Sequence, residues 1–435
     1  MKRLIIFIVF LFGCFCTSVF GQRKISLTDA MQLLHDNSIS LKQGELREQI
    51  AKNTVEIAKG GIYPNLFFNT NNQHTMGMVF DQISGKLITG NQWSNYATGN
   101  LGTSVILYQG GQKQSGIKIE QLKLELAALD NKRLMRELEL QLLAIFIQVL
   151  VNHDLWEAGK SQLKFSEQQL QQEKTLMDIG KRTLIDYSQA KAKYANDKLN
   201  VVTSKNAFDL SLMKLKQLLE MDLSEELEVL APKKLLVNSV LPIYHLSSDP
   251  YLKVLDKQIE IGEAQVKLSR SSYFPTITLN GSYGTNYSSQ RQNLLTGNTI
   301  PFWNQFNQNR TLSGSLSLSI PIFDGLKTKF TIRNAKLNQQ SLRYEKEKIK
   351  RERLQVISQG EMEYQAAIEE RSAILATYEA NKINYEGISE RYKVGKSSSI
   401  DLYKAMTEFN ISEFRLITSS YAVFYKREFL MMINN

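Results

Sequence analysis

The sequence predicts an α+β chain, mainly α, in which long helical hairpins alternate with strands of membrane-spanning length and the whole order is written twice. Three observations predict this. Matching motifs recur at a separation of 215 residues. Long stretches place an apolar side chain at every seventh position. Four runs alternate apolar with small polar side chains.

The first segment has the basic start Met1-Lys2-Arg3 and an apolar run from Leu4 to Phe20, and it ends Val19-Phe20-Gly21 before Gln22. Residues 1–21 therefore read as a cleaved export signal. The alternatives are an uncleaved anchor helix and a lipobox at Leu11-Phe12-Gly13-Cys14 with an acylated Cys14, where bulky Phe12 replaces the small residue such boxes use. Cys14 and Cys16 are the two cysteines of the chain, so the mature protein would enter an oxidising compartment without a thiol. It must then be held together by packing or assembly. The formal charge of +10 is spread along helical faces where Lys and Arg alternate with Glu and Asp, which argues against a nucleic-acid partner.

The first repeat, residues 22–220, opens with a helix from Ser26 to Lys59, capped at Thr28 and ended by Pro64. Strands 65–73 and 98–108 follow, then a helical hairpin over 112–219 with its break at Ile179–Thr183. A connector, 221–248, contains Pro232 and Pro242. The second repeat, 249–435, runs in the same order: helix, strands 276–285 and 310–320, hairpin 326–433. The shift of 215 carries Leu107-Tyr108-Gln109-Gly110 onto Ile322-Phe323-Asp324-Gly325, and Ile185-Asp186-Tyr187 onto Ile400-Asp401-Leu402.

Counting by sevens through the first long helix gives Met135, Leu142, Val149, Trp156, Leu163, Leu170 and Met177. The shifted helix gives Ile357, Tyr364, Arg371, Tyr378, Tyr385 and Tyr392. A strict heptad forces left-handed supercoiling, because a straight helix drifts by roughly 20° per heptad. A 67-residue helix is about 100 Å long at about 1.5 Å per residue, several times the width of a globular domain.

The last strand is the most legible: Leu312, Gly314, Leu316, Leu318 and Ile320 alternate with Ser313, Ser315, Ser317 and Ser319. Thr276, Thr278 and Asn280 alternate with Ile277 and Leu279, and the pattern returns at Leu101, Thr103, Val105 and Leu107. Four strands cannot close a barrel, and an open edge in hydrocarbon leaves backbone groups unsatisfied at several kcal/mol each. Two copies would give eight strands with a filled interior. Three would give twelve and a lumen lined by hydroxyls such as those of Ser313, Ser315, Ser317 and Ser319.

The repeat, the Pro-to-strand junctions at Pro64 and Pro275, the turn Ile320-Pro321-Ile322-Phe323-Asp324-Gly325, the opening Ser26-Leu27-Thr28-Asp29-Ala30 and the breaks Gly180-Lys181-Arg182-Thr183-Leu184-Ile185-Asp186 and Gly395-Lys396-Ser397-Ser398-Ser399-Ile400-Asp401 together resemble the TolC family of outer-membrane efflux and secretion channels. The resemblance implies a homotrimer with a twelve-stranded barrel in outer-membrane lipid, continued by an α-helical coiled-coil barrel in the periplasm. It implies a passive exit duct for efflux or type I secretion, docked through a periplasmic adaptor to an inner-membrane pump. Gly180, Thr183, Asp186, Gly395, Ser398 and Asp401 become candidates for the adaptor contact, and Glu386, Glu390 and Arg391 lie in the region where the family gates its tunnel. Pro64, Pro275, Pro321, Gly110 and Gly325 mark strand–helix junctions. The same tip residues also read as a helix end, a left-handed glycine and a new N-cap at Thr183 or Ser398.

No catalytic or cofactor motif appears. Gly395-Lys396-Ser397 imitates the end of a phosphate loop but has Glu390 where that loop needs glycine. His35, His74, His153 and His245 are scattered without zinc-ligand spacing, and no Gly-x-Ser-x-Gly elbow occurs. The competing reading is a periplasmic or secreted coiled-coil scaffold with a soluble β-domain.

Overall fold

The structure, a computed structural model, describes residues 23–232 and 246–434. The export signal with Cys14 and Cys16, and within the connector Pro242 and His245, lie outside the described residues. The elements in chain order are β1 (Arg23–Ile25), α1 (Leu27–Asn37), α2 (Ile39–Gly60), β2 (Asn65–Met76), β3 (Val79–Asp81), β4 (Lys86–Ile88) and β5 (Trp93–Gln109), then α3 (Gln112–Asp178), α4 (Leu184–Leu218) and β6 (Leu227–Val229). After a short 3-10 turn at Leu246–Ser248 come α5 (Pro250–Ser271), β7 (Thr276–Ser288), α6 (Phe302–Gln308), β8 (Thr311–Ser319), α7 (Lys327–Lys393) and α8 (Ser399–Asn434). Both α3 and α7 are 67 residues long.

Several boundaries differ from those read in the sequence. The first helix is two helices meeting at Ser38, and its N-cap is Ser26 rather than Thr28. Ser26 accepts from the Asp29 amide while the Asp29 carboxylate accepts from the Ser26 amide, a reciprocal capping box. The strands reach further at their outer ends than alternation suggested, to Met76, Trp93 and Ser288, because Asn and Gln there pair through the backbone whatever their side chains favour. The short elements β1, β3, β4, β6 and α6 were not foreseen.

The chain divides into two compact units. In the unit made of Glu45–Leu129 and Lys253–Glu347, one antiparallel sheet has the order β2-β5-β7-β8. Its register places Phe68 opposite Leu101, Leu101 opposite Tyr283, and Tyr283 opposite Leu312. Residues opposite one another share a face and faces alternate along a strand, so one face carries these side chains with Leu66, Val105, Leu279 and Leu316. The other carries Thr98, Asn100, Ser104, Asn280, Ser282 and Ser313, where the Ser282 and Ser313 hydroxyls are bonded at 2.7 Å. Ser315, Ser317 and Ser319 continue this hydroxyl face opposite Asn280, Thr278 and Thr276. Leu107 does not extend the apolar row: a bulge between Ile106 and Tyr108 sets Tyr108 opposite Ile277 instead, and such an extra residue bends its strand.

The junctions are built from conformationally restricted residues. Pro64 and Pro275 stand immediately before β2 and β7, where a missing amide interrupts no ladder. Pro321 follows β8. Gly110 turns β5 into α3 with φ +58, and a Cβ there would lie 2.5 Å from the Phe274 Cβ and 2.7 Å from the Ser271 carbonyl. Gly325 has φ +65 with open space around it. Beyond the turn, Ile119 and Leu122 of α3 pack with Ala264 of α5, and Lys257 bridges Glu125 and Glu260 at 2.7 and 2.8 Å.

The other unit falls within Met1–Gly44, Asp130–Leu252 and Lys348–Asn435. Its core gathers Leu142, Leu143, Phe146 and Val149 of α3, Leu215 and Leu219 at the end of α4, Ala30 and Leu34 of α1, and Tyr421, Phe424 and Met432 of α8. β1 and β6 pair in parallel, Ile25 against Val229, and add Ile25 and Leu227 to that core. Asp249 caps the start of α5 by accepting from the Tyr251 amide at 2.7 Å, with Pro250 at the first helical position, where a proline loses no bond. Arg353 holds the same carboxylate at 2.8 Å and lies over the Tyr251 ring. Burial and Glu137 push the Tyr251 hydroxyl up to about 12.

Candidate functional site: two capped turns and the bond between them

α3 ends and α4 begins across a turn built by its own sequence. Gly180 adopts φ +72. The Gly180 amide donates to Met177 and the Lys181 amide to Leu176, the two bonds of a Schellman ending that needs a left-handed residue. Thr183 then caps α4: its hydroxyl accepts from the Asp186 amide, and the Asp186 carboxylate accepts from the Thr183 amide at 3.1 Å. The turn between α7 and α8 repeats each step. Gly395 has φ +73, its amide donates to Tyr392 and that of Lys396 to Arg391. The Ser398 amide and hydroxyl donate to Asp401 at 3.2 and 2.7 Å.

Both aspartates are held below the usual carboxylate range. For Asp186 the largest cause is a hydrogen bond from Ser399 across the turns, followed by the Thr183 bonds. For Asp401 it is the Ser398 hydroxyl. The Ser399 hydroxyl donates to Gln189 Oε1 at 2.9 Å, a tie from α8 to α4.

Just above the turns a buried polar contact joins the two hairpins. Glu173 of α3 is 0% exposed and Tyr392 of α7 is 3% exposed. The Tyr392 hydroxyl donates to Glu173 Oε1 at 2.9 Å. Arg182 donates to the Tyr392 carbonyl at 3.2 Å, lies with its guanidinium carbon 4.1 Å from the Tyr392 ring centre, and brings Nε within 3.8 Å of Glu173 Oε2. Burial, with Glu173 beside it, pushes the Tyr392 hydroxyl up. Tyr403 is raised first by burial and then by the charges of Glu173 and Asp186.

All six predicted tip residues therefore sit in the two turns. Glu386, Glu390 and Arg391 occupy exposed positions on α7, and Glu390 pairs with Lys393 at 2.6 Å. Of the residues that tie the hairpins, Arg182 and Ser399 stand inside the two breaks and Tyr392 in the heptad row without being site candidates, and Glu173 lies outside all three. A signal for Glu173 is present: three residues after the first six positions of the first heptad row stand Leu138, Ile145, Asn152, Gly159, Ser166 and Glu173. This companion row turns from apolar to polar toward the break, and Ser166 and Glu173 are buried. Among the described residues no group of three or more His, Cys, Asp or Glu is placed to hold a metal ion, and no helix is long and apolar enough to cross a membrane.

An amphipathic sheet with one apolar and one hydroxyl face, beside hairpins tied at their capped ends, fits the class of outer-membrane β proteins. A model of the outer membrane efflux protein family matches residues 30–220 and 244–424, and the chain belongs to that family, whose members of the TolC type are outer-membrane efflux channels. It is accordingly an outer-membrane transport protein with its helical part in the periplasm, which sets aside the scaffold reading. The Campylobacter jejuni outer membrane channel CmeC is similar in fold, with a TM-score of 0.81, 14% identity, and 94% of this chain and 85% of that chain covered. CusC matches with a TM-score of 0.81 and 14% identity over 94% and 92%. The Vibrio cholerae outer membrane protein VceC matches with a TM-score of 0.76 and 14% identity over 94% and 96%. No curated protein matches the sequence.

Proposed function

We propose that the protein is one third of a passive exit duct: three copies close their sheets into a twelve-stranded barrel and their hairpins into a helical tunnel, which an adaptor couples to an inner-membrane pump for efflux or type I secretion. The observation that carries this reading is the sheet. β2 and β8 end it, and among the described residues neither has a second strand partner. Its apolar face is open, with Leu312 81% exposed. Lipid covers such a face, but only a further chain can satisfy the two edges. Twelve strands leave a lumen, and the hydroxyl face suits water. The repeat of the chain supplies two hairpins per copy, hence twelve helices in the tunnel.

The turns support adaptor docking. Ile179, Leu184 and Ile185 at one and Val394 and Ile400 at the other are exposed apolar side chains on frames fixed by Gly180, Thr183, Asp186, Gly395, Ser398 and Asp401. Large exposed apolar groups grouped this way mark interaction sites. The Glu173–Tyr392–Arg182 contact keeps the hairpins together and serves as a latch on the closed end, with Glu386, Glu390 and Arg391 on the adjacent face of α7. The channel performs no chemistry of its own, so selectivity belongs to the pump.

The test is planar-bilayer recording on detergent-purified protein whose mass has been measured. A trimeric species with low conductance that rises when the latch is cut supports the duct. A folded, monomeric, stable species, or inserted trimers that stay silent after the latch is cut, overturns it.

A further inference from the structure

We propose that α6 is an interfacial collar: a short aromatic helix, folded against the lipid side of the sheet, that seats the barrel in the outer leaflet at the boundary between hydrocarbon and headgroups. The inference rests on the barrel reading above and adds an element to it.

Three contacts fix α6 on the apolar side. The Thr285 hydroxyl donates to the Phe306 carbonyl at 2.7 Å. Phe306 lies 4.0 Å from where a Cβ on Gly99 would stand, next to Phe68 at 3.7 Å. Tyr287 packs on Phe302 with ring centres 5.0 Å apart. Thr285 faces Gly99 in the ladder, and Phe68 faces Leu101, so all these belong to the face that carries Leu101, Leu279 and Leu312.

The helix is two-sided. Gln305, 0% exposed, accepts from the Ser288 amide at 3.0 Å and donates to the Ser288 and Ile300 carbonyls at 2.8 Å each, which clamps the polar side to the end of β7. At about 100° per residue, Phe302, Phe306 and Trp303 fall within one arc of about 100°, with Trp303 at the edge turned farthest from Gln305. They form a mutual cluster with ring centres 5.2, 5.6 and 6.0 Å apart, yet Trp303 remains 71% exposed. A ring cluster rigidly held on a lipid-facing surface, with its largest member uncovered, needs an apolar yet partly wet medium around the indole N–H.

Its height is that of the interface. From Ile277 to Tyr287 the strand rises about 33 Å at about 3.3 Å per residue. Tilted by about 40°, this gives about 25 Å along the membrane normal, the height of a barrel's apolar band. The charges around it agree. Arg310, between α6 and β8, is exposed and its guanidinium donates to the Asn307 carbonyl at 2.8 Å. In the chain between β2 and β5 and between β7 and β8, residues 77–92 and 289–310, the basic residues are Lys86, Arg291 and Arg310, and the one acid, Asp81, is buried and bonded to Ser288. An anionic headgroup layer suits this balance.

The experiment uses the full-length protein in vesicles. The chain has three tryptophans, Trp93, Trp156 and Trp303, so W93F with W156F leaves Trp303 as the reporter. Phosphatidylcholine brominated near the carbonyl end of its chains should lower the Trp303 emission about twofold, and lipid brominated near the chain end should lower it less, as an interfacial depth requires. A second protein, in which W303F is added and L316W introduced, reports the barrel wall and should be quenched by the deep bromines. If L316W is quenched while Trp303 responds only to aqueous iodide, the collar fails and the barrel stands. If Trp303 answers to neither quencher, a second copy covers it and the collar likewise fails. If neither reporter is quenched by lipid in a protein with native circular dichroism, the barrel reading itself falls.

Discussion

The Tyr392 hydroxyl reaches across from α7 to give its proton to Glu173 Oε1 of α3 at 2.9 Å, and both side chains are buried. Removing that hydroxyl in Tyr392→Phe leaves Glu173 Oε1 with the Gln169 amide, at 3.2 Å, as its remaining donor, at a cost of about 1 kcal/mol to the closed arrangement. Single-channel recording should show longer or more frequent openings than the parent. Glu173→Gln keeps an acceptor for Tyr392 and should show the smaller effect. Equal conductance in Tyr392→Phe and the parent would remove the latch from the account.

Arg182 is held by geometry as much as by charge, with a bond to the Tyr392 carbonyl and a stacked ring. A lysine has the charge without the planar fork. Arg182→Lys should therefore open the channel nearly as much as Arg182→Ala, and closure retained in the lysine variant would show that charge alone suffices.

The turns should loosen in acid. Asp186 and Asp401 have folded values below their ordinary ones, so their contribution is present above the ordinary carboxylate range and is lost as pH falls through the depressed folded values. Protection factors for hydrogen exchange at Gly180–Asp186 and Gly395–Asp401, each taken against the intrinsic amide rate at that pH, should be equal at neutral pH and at pH about 5 and should fall only below about pH 4. Asp186→Asn should show the lowered protection at neutral pH.

Neighbouring positions of β8 should respond oppositely to one substitution. Leu316→Arg places a charge in lipid and should weaken the barrel by about 2–4 kcal/mol if it lies near the midplane. Ser317→Arg, one residue on, points to the hydroxyl face and should leave heat stability unchanged while shifting ion selectivity toward anions. Trimer dissociation on heating and reversal potentials check the pair.

Gly110 and Gly325 share a left-handed φ but not their surroundings. Gly325→Ala should cost only the left-handed strain of about 1–2 kcal/mol, whereas Gly110→Ala must also displace Phe274 and should be clearly worse in urea unfolding.

The long helices were legible to within a residue or so because the Gly-x-x-Thr/Ser-x-x-Asp turns state both an ending and a beginning in local chemistry. The strand cores around Leu316 and Leu279 were legible because alternation records which face is wet. What local pattern does not record was missed. β1 and β6 are three residues each and exist through their pairing with one another. α6 is written in Asn, Gln and aromatic residues, a composition that also suits a loop. Ser26 was passed over as the N-cap although Asp29 three residues later completes a capping box. The Glu173–Tyr392 contact spans 219 positions, and no periodicity within one helix announces a partner in another.

The seam inside the hairpin unit changes character along its length. In the middle it is dry hydrocarbon, Leu142, Phe146 and Val149. Toward the turns it becomes Gln162, Ser166, Glu173 and Asp197, and among the described residues Gln162 Nε2, Glu173 Oε2 and Asp197 Oδ2 are buried without a hydrogen-bond partner. Water entering beside these atoms would solvate groups that the folded seam leaves unsatisfied. Separation at that end is thus partly compensated by hydration, while separation in the middle is not. Within this unit the end that can part and the middle that stays shut are both set by where the oil stops.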